Sequence, residues 1–218
     1  MRDVRFSKPE LDDLQTRAGV FEDVSPIFEG SEDLTGAGQP ERVEGLNGSF
    51  SYFSMLGATP QIGRLFGPQD FALGFASVIV ISDGLWHRAY GADPNVVGRT
   101  LRLDNDLFTI IGVLPRGFRH PGPTVSGDVE VFGAAGFSAD PFPQPMRGTR
   151  ILVSGIGRLK PGLTLAQAQA RLTAMAAELR HDFPTDHPPQ AKWTIEIQPL
   201  QETWWATSDP CCWCYWVR

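Results

Sequence analysis

The sequence predicts a mixed α and β domain, on three observations. Between Val78 and Phe118 a β-branched run is followed by a capped amphipathic helix and then by a hairpin of period two. From Leu165 to Leu179 apolar residues recur at spacings of three and four, between two strand-forming runs. A chain of 218 residues is also long enough to bury a proper core, as one domain or two small ones.

The elements follow in order. Ser7-Lys8-Pro9-Glu10 has capping-box form, and Leu11, Leu14 and Ala18 recur at helical spacing until Gly19. Val20 to Val24 and Ile27-Phe28 predict a strand or extended segment, and Glu29 to Pro40, rich in Gly, Ser, Asp and Glu, a loop or hairpin. Arg42 to Asn47 alternates as a strand with Val43 and Leu46 near the core. Ser49 to Gly57 is a short helix with a serine cap and a buried side of Tyr52, Phe53 and Leu56. Pro60 to Phe66 is a turn in which the backbone must pass closely at Gly63. Arg64 in such a turn is expected to tie down loop carbonyls.

Ser77 to Ile81 reads as a strand buried on both faces. Ser82 caps the next helix, whose apolar side is Leu85, Trp86, Ala89 and Tyr90, and Gly91 stops it. His87 and Asp83, four apart, read as a solvated surface pair. Leu101 and Leu103 face the same way as Phe108 and Ile110 across Asp104-Asn105-Asp106, a hairpin signal, and Pro115 ends the second strand. Phe118 to Gly148 is mostly loop with one short strand at Asp128 to Phe132. Arg150 to Leu159 is a strand, Lys160-Pro161-Gly162 a tight turn, and Thr164 with Gln167 a capping box for the surest helix, ended by His181 and Pro184. Lys192 to Leu200 alternates as a final strand, so strand, helix and strand make a βαβ-like unit.

Composition excludes several functions. A net charge of −6 and a pI of about 5.2 disfavour nucleic acid or an anionic membrane surface. No phosphate-cradling loop or nucleophile elbow is present. Met1-Arg2-Asp3-Val4 is not a signal peptide, and no window reaches the roughly 20 apolar residues of a membrane span. As written, the sequence predicts a soluble chain. His181, Asp182, Asp186 and His187 are the one cluster of metal-ligand type, but they sit in a proline-bearing connector past a helix end, where the dipole favours His and turns favour Asp. Cys211, Cys212 and Cys214 lack zinc spacing.

Two sets of residues carry a family resemblance. Val80-Ile81-Ser82, Gly84-Leu85-Trp86, Tyr90-Gly91, Asp93 to Leu103 and Phe108 to Phe118 form one, and Tyr52-Phe53, Leu56-Gly57 and Gly63-Arg64-Leu65-Phe66 the other. In this order they resemble the periplasmic core domain of MacB-type, FtsX-like ABC transporter permeases, over roughly residues 6 to 203. Val131-Phe132-Gly133 departs mildly from the family's pattern.

The resemblance implies an α+β fold in which both chain ends, 1–75 and 148–203, form a porter-like α/β subdomain and 76–147 an inserted β-rich subdomain. It implies a non-catalytic domain, without cofactor, catalytic or metal residues, that passes conformational change or docks partners. Those partners would be a cytoplasmic ABC ATPase, a second permease half and periplasmic proteins. The intact protein would sit in the inner membrane, facing the periplasm, through helices missing from this chain. Two other classes stay open: a free-standing ligand-binding module, which needs a defined pocket, and a metal-dependent hydrolase built on the His181, Asp182, Asp186 and His187 cluster.

Residues 204–218 are odd, holding four of the six tryptophans and all three cysteines. Read one base earlier, the codons of Trp205 and Cys214 give Val, those of Ala206 and Val217 give Gly, and those of Cys212, Trp213, Tyr215 and Trp216 give Leu. That is an apolar, membrane-entering run of the kind the family carries here. The tail is therefore expected to be out of frame, past a frameshift near Thr203, with a truncated chain unable to transport alone.

Overall fold

The structure is a computed structural model. It describes residues 6–35, 39–71, 77–120, 128–134, 146–148, 154–188, 190, 192–200 and 214–217. Helix α1 (Lys8–Thr16) starts at the expected capping box, with the Ser7 amide donating to Glu10 Oε2 at 2.6 Å. Strand β1 (Phe21–Thr35) is one unbroken strand of 15 residues. Of the loop or hairpin expected from Glu29, the hairpin forms: Glu29 to Leu34 pairs antiparallel with Glu41 to Leu46 of β2 (Glu41–Gly48), so the polar side chains belong to a strand. Helix α2 (Tyr52–Met55) buries Tyr52, Phe53 and Met55, while Leu56, expected inside, is half-buried. Its cap residue Ser51 makes no side-chain capping bond.

Strand β3 (Ile62–Gly63), a 3-10 turn at Pro68–Phe71, strand β4 (Val78–Ile81) and helix α3 (Asp83–Tyr90) follow. Ser82 Oγ accepts from the Leu85 amide, and Gly91 ends α3 in the left-handed region, as expected. Strands β5 (Thr100–Leu103) and β6 (Asp106–Val113) form the expected hairpin. Strand β7 is Val131–Ala134, shifted towards the C-terminus of the expected segment, because it fits parallel to β2 and antiparallel to β4. Strand β8 (Ser154–Leu159) leads into α4 (Leu165–Asp182), which starts at the Thr164–Gln167 capping box. The last expected strand shrinks to β9 (Ile197–Pro199), Trp193 and Ile195 being buried without strand pairing. Cys214–Val217, for which the sequence offered no element, forms β10 between β8 and β9. Its Cys-Tyr-Trp-Val composition suits a strand. Both pairings of β10 are antiparallel, so β8 and β9 run parallel, as a βαβ unit requires.

All ten strands among the described residues belong to one sheet. Six of them, β1, β2, β7, β4, β6 and β5, close on themselves, since β1 pairs with both β2 and β5. Closure removes sheet edges. The ring encloses Leu34, Val43, Ile79, Ile81, Leu101, Leu103, Ile110, Val113 and Val131, joined by Leu85 and Val96. The opposite faces of β4, β6 and β7 present Val80, Ile111 and Phe132 to a second cluster with Tyr52, Phe53, Phe66, Leu114 and Phe118. The β-branched run of β4 is thus buried on both faces. A third cluster joins α1, the first half of β1 and α4.

Two glycines let β3 cross β6. A Cβ on Gly112 would stand 2.1 Å from the Arg64 carbonyl oxygen, and one on Gly63, whose φ is +72°, 2.3 Å from that of Ile111. Gly112→Ala is therefore expected to lose about 2–4 kcal/mol in urea denaturation, since backbone must move. Gly91→Ala, at φ +59° with nothing near its Cβ, should lose only about 1 kcal/mol. Equal losses would contradict the close crossing.

Candidate functional site

The candidate site is the junction where the barrel meets the outer layer of α1, β8 and α4. Its backbone element is β1. Residues Phe21 to Ile27 pair with β8, and Ile27 to Leu34 with β2, so Ile27 pairs with Ser154 on one side and Gly48 on the other. Next to this handover Ser25 is fully buried. Its Oγ accepts from the Ser49 amide at 3.0 Å and donates to the Pro26 carbonyl at 3.2 Å. The chain leaving β2 is thereby fixed to β1.

From β8, the Arg158 guanidinium donates to the carbonyls of Ser54 and Met55 at 3.1 and 3.0 Å. These belong to the C-terminal end of α2, where a cation offsets the carbonyl dipoles. Ile27 of β1 and Ile156 of β8 enter the aromatic cluster directly. Phe53 is its hub, with ring centroids 5.0 Å from Tyr52, 5.6 Å from Phe66, 5.9 Å from Phe118 and 5.5 Å from Phe132. Such edge and tilted contacts add to the burial of the rings themselves.

Tyr52 and His120 form the polar part of this cluster. Tyr52 Oη and His120 Nδ1 are 2.7 Å apart and the rings stack at 6.0 Å. Burial pushes the Tyr52 phenol well above its ordinary value and the His120 imidazole down to about 4. Both are neutral at pH 7 and joined by one hydrogen bond between Oη and Nδ1.

The Arg64 turn differs from expectation. Its guanidinium makes a two-pronged contact with Asp70, at 2.6 and 2.8 Å, and only one with a loop carbonyl, that of Leu65 at 3.2 Å. The guanidinium bond, helped by the Gly67 amide, holds the nearly buried Asp70 carboxyl below its usual range. A carboxylate fits the guanidinium fork better than carbonyls do.

The four metal-type residues are not brought together. Asp182 pairs with Arg17 at 3.0 Å, whereas His187 is buried 3.3 Å from Glu10, with its ring 4.1 Å from that of Trp193. His181 is exposed at the end of α4 and Asp186 half-buried in the connector. Among the described residues no group of His, Cys, Asp and Glu could hold a metal ion. His87 lies on the surface with Asp83 at 3.5 Å, as read from its spacing. Sequence reasoning missed Ser25, His120 and Arg158, all single residues whose partners are far away in the chain.

A closed barrel joined through one strand to an α/β layer gives a fold that is also seen in solved structures. The extracellular domain of the noncanonical ABC-type transporter YknZ from Gram-positive bacteria superposes with a TM-score of 0.60 at 17% identity, covering 82% of this chain and 84% of that one. The periplasmic region of MacB from Actinobacillus actinomycetemcomitans gives 0.61 at 15%, over 83% and 76%. A domain of a permease protein from Porphyromonas gingivalis gives 0.56 at 18%, over 84% and 80%. Comparison with curated proteins finds no match. The sequence profile of the MacB-like periplasmic core domain matches residues 2–175, and the chain belongs to that family. No helix among the described residues is long and apolar enough to cross a membrane.

One pH dependence follows from the buried imidazole. His120 takes up a proton near pH 6.5 in the unfolded chain and only near 4 in the folded one. The unfolded state therefore binds more protons between these values, and stability falls as pH drops from 6.5 towards 4, by about 3 kcal/mol in full. Urea midpoints measured over this range should fall with pH, and His120→Gln should flatten that part of the slope. An unchanged slope would contradict the buried neutral imidazole.

Proposed function

We propose that this chain is the extracytoplasmic part of an inner-membrane ABC transporter permease, transmitting conformational change or docking partners rather than catalysing a reaction. The observation that carries this reading is β1, about 50 Å long at 3.3 Å per residue, which is hydrogen-bonded into the outer layer at one end and the barrel at the other. A displacement applied to the layer reaches the barrel through backbone, not through a flexible linker. The barrel interior is filled by aliphatic side chains, which favours a mechanical element over a ligand-binding module. The hydrolase alternative loses its support because His187 and Asp182 are engaged with Glu10 and Arg17.

In this reading the energy comes from a cytoplasmic ATPase, with a second permease half and periplasmic proteins as further partners. Membrane helices would flank the domain, the second encoded in the frame one base earlier than Trp205 to Val217. Resequencing the locus tests that part, and an apolar reading frame after Thr203 with an ATPase gene nearby is the expected result.

Coupling is tested in the frame-restored permease expressed with that ATPase. Phe53→Leu, which loosens the cluster between layer and barrel, should leave ATP hydrolysis within about twofold while transport falls about tenfold. Undiminished transport would remove the mechanical reading.

A further inference from the structure

The docking face of α1 is unlike that of any other helix here. Its four buried residues are Glu10, Leu11, Asp13 and Leu14, two carboxylates and two leucines. The long helix α4 buries Ala168, Leu172, Met175, Ala176 and Leu179, all apolar. An apolar face holds wherever it meets apolar surface, but a buried carboxylate is tolerated only where a donor or cation meets it.

Those partners come from distant parts of the chain. Asp13 Oδ2 accepts from the Arg147 guanidinium at 2.7 Å, with both side chains largely buried. Arg147 lies at the return from the barrel and stacks 3.8 Å over the ring of Phe183, the residue that ends α4. Glu10, 1% exposed, accepts from the Ser7 amide and stands 3.3 Å from the fully buried His187 of the connector after α4. Arg17, at the end of α1, reaches Asp182 at 3.0 Å, Asp13 at 3.6 Å and Glu178 at 3.7 Å. One more bond, from Gln15 Nε2 to the Val24 carbonyl at 3.1 Å, ties α1 to β1.

We propose that α1 is a conditionally docked helix, held on the layer while Arg147 stands opposite its buried Asp13. The helix thereby reads the position of the return from the barrel. When that segment shifts, Asp13 loses its buried cation and keeps only the half-exposed Arg17, and α1 releases while β1, β8 and the barrel remain paired. This deepens the proposed function, on which its use in a permease rests. The docking itself can be tested on the isolated chain.

The test is segment-resolved hydrogen exchange on the full chain. Arg147→Met takes the cation from Asp13, leaving it only the half-exposed Arg17. The α1 amides, among them that of Arg17 bonded to the Asp13 carbonyl, should exchange about tenfold faster or more, with those of β4 and β6 unchanged. The double variant Asp13→Leu with Arg147→Met replaces the pair by apolar groups and should restore protection of α1. The proposal fails if α1 keeps its protection in Arg147→Met, if barrel and α1 lose protection together, or if the double variant stays released. Failure here leaves the permease reading standing, whereas failed coupling of transport leaves the docking result standing.

Discussion

Everything in this domain depends on β1 being shared between two bodies, its first half paired with β8 and its second half with β2. At Ile27 the strand changes partners, giving up β8 and taking β2, and the side chain itself is fully buried in the aromatic cluster. A strand whose two halves are paired in different bodies cannot slip by one residue without turning its core faces to water. Phe21, Val24 and Leu34 would then leave two different cores at once. The register is consequently fixed for layer and barrel together, and the two move as one unit unless backbone hydrogen bonds break.

Around that strand the junction is built from few polar groups, each with a specific partner. Ser25 holds the start of α2 through the Ser49 amide, Arg158 holds its end, and Tyr52 and His120 are hydrogen-bonded to each other inside the cluster. Their chemistry is that of fastening, consistent with a family whose members serve as periplasmic core domains of transporters. The fastening is uneven. The barrel and β8 are joined by rings and backbone, whereas α1 leans on carboxylates and their partners.

Much of this was legible in the sequence because the signals were local. Capping boxes at Ser7 and Thr164, the β-branched run at Val78, the hairpin at Asp104 and the glycine at position 63 each encode their own geometry. What stayed hidden depends on distant partners. Glu29 to Leu34 reads as loop or hairpin because most of its side chains are polar, and only the pairing with β2 decides for the hairpin. Arg64 meets Asp70 rather than carbonyls, and His187 faces Glu10 from 177 positions away (187 − 10) instead of joining His181 at a metal. A single tail segment, Cys214–Val217, found the open edge of β8 that its composition alone could not reveal.

The central claim is that β1 welds layer and barrel into one cooperative body. Native-state hydrogen exchange in increasing urea tests it most directly, by comparing the β1 segment paired with β8, Ser25 to Ile27, with the segment paired with β2, Glu29 to Leu34. The account predicts that both halves merge into one opening reaction, shared with Val80 and Ile110. Exchange of the β8-paired half through a separate, lower-energy opening, with the barrel half still protected, would contradict it.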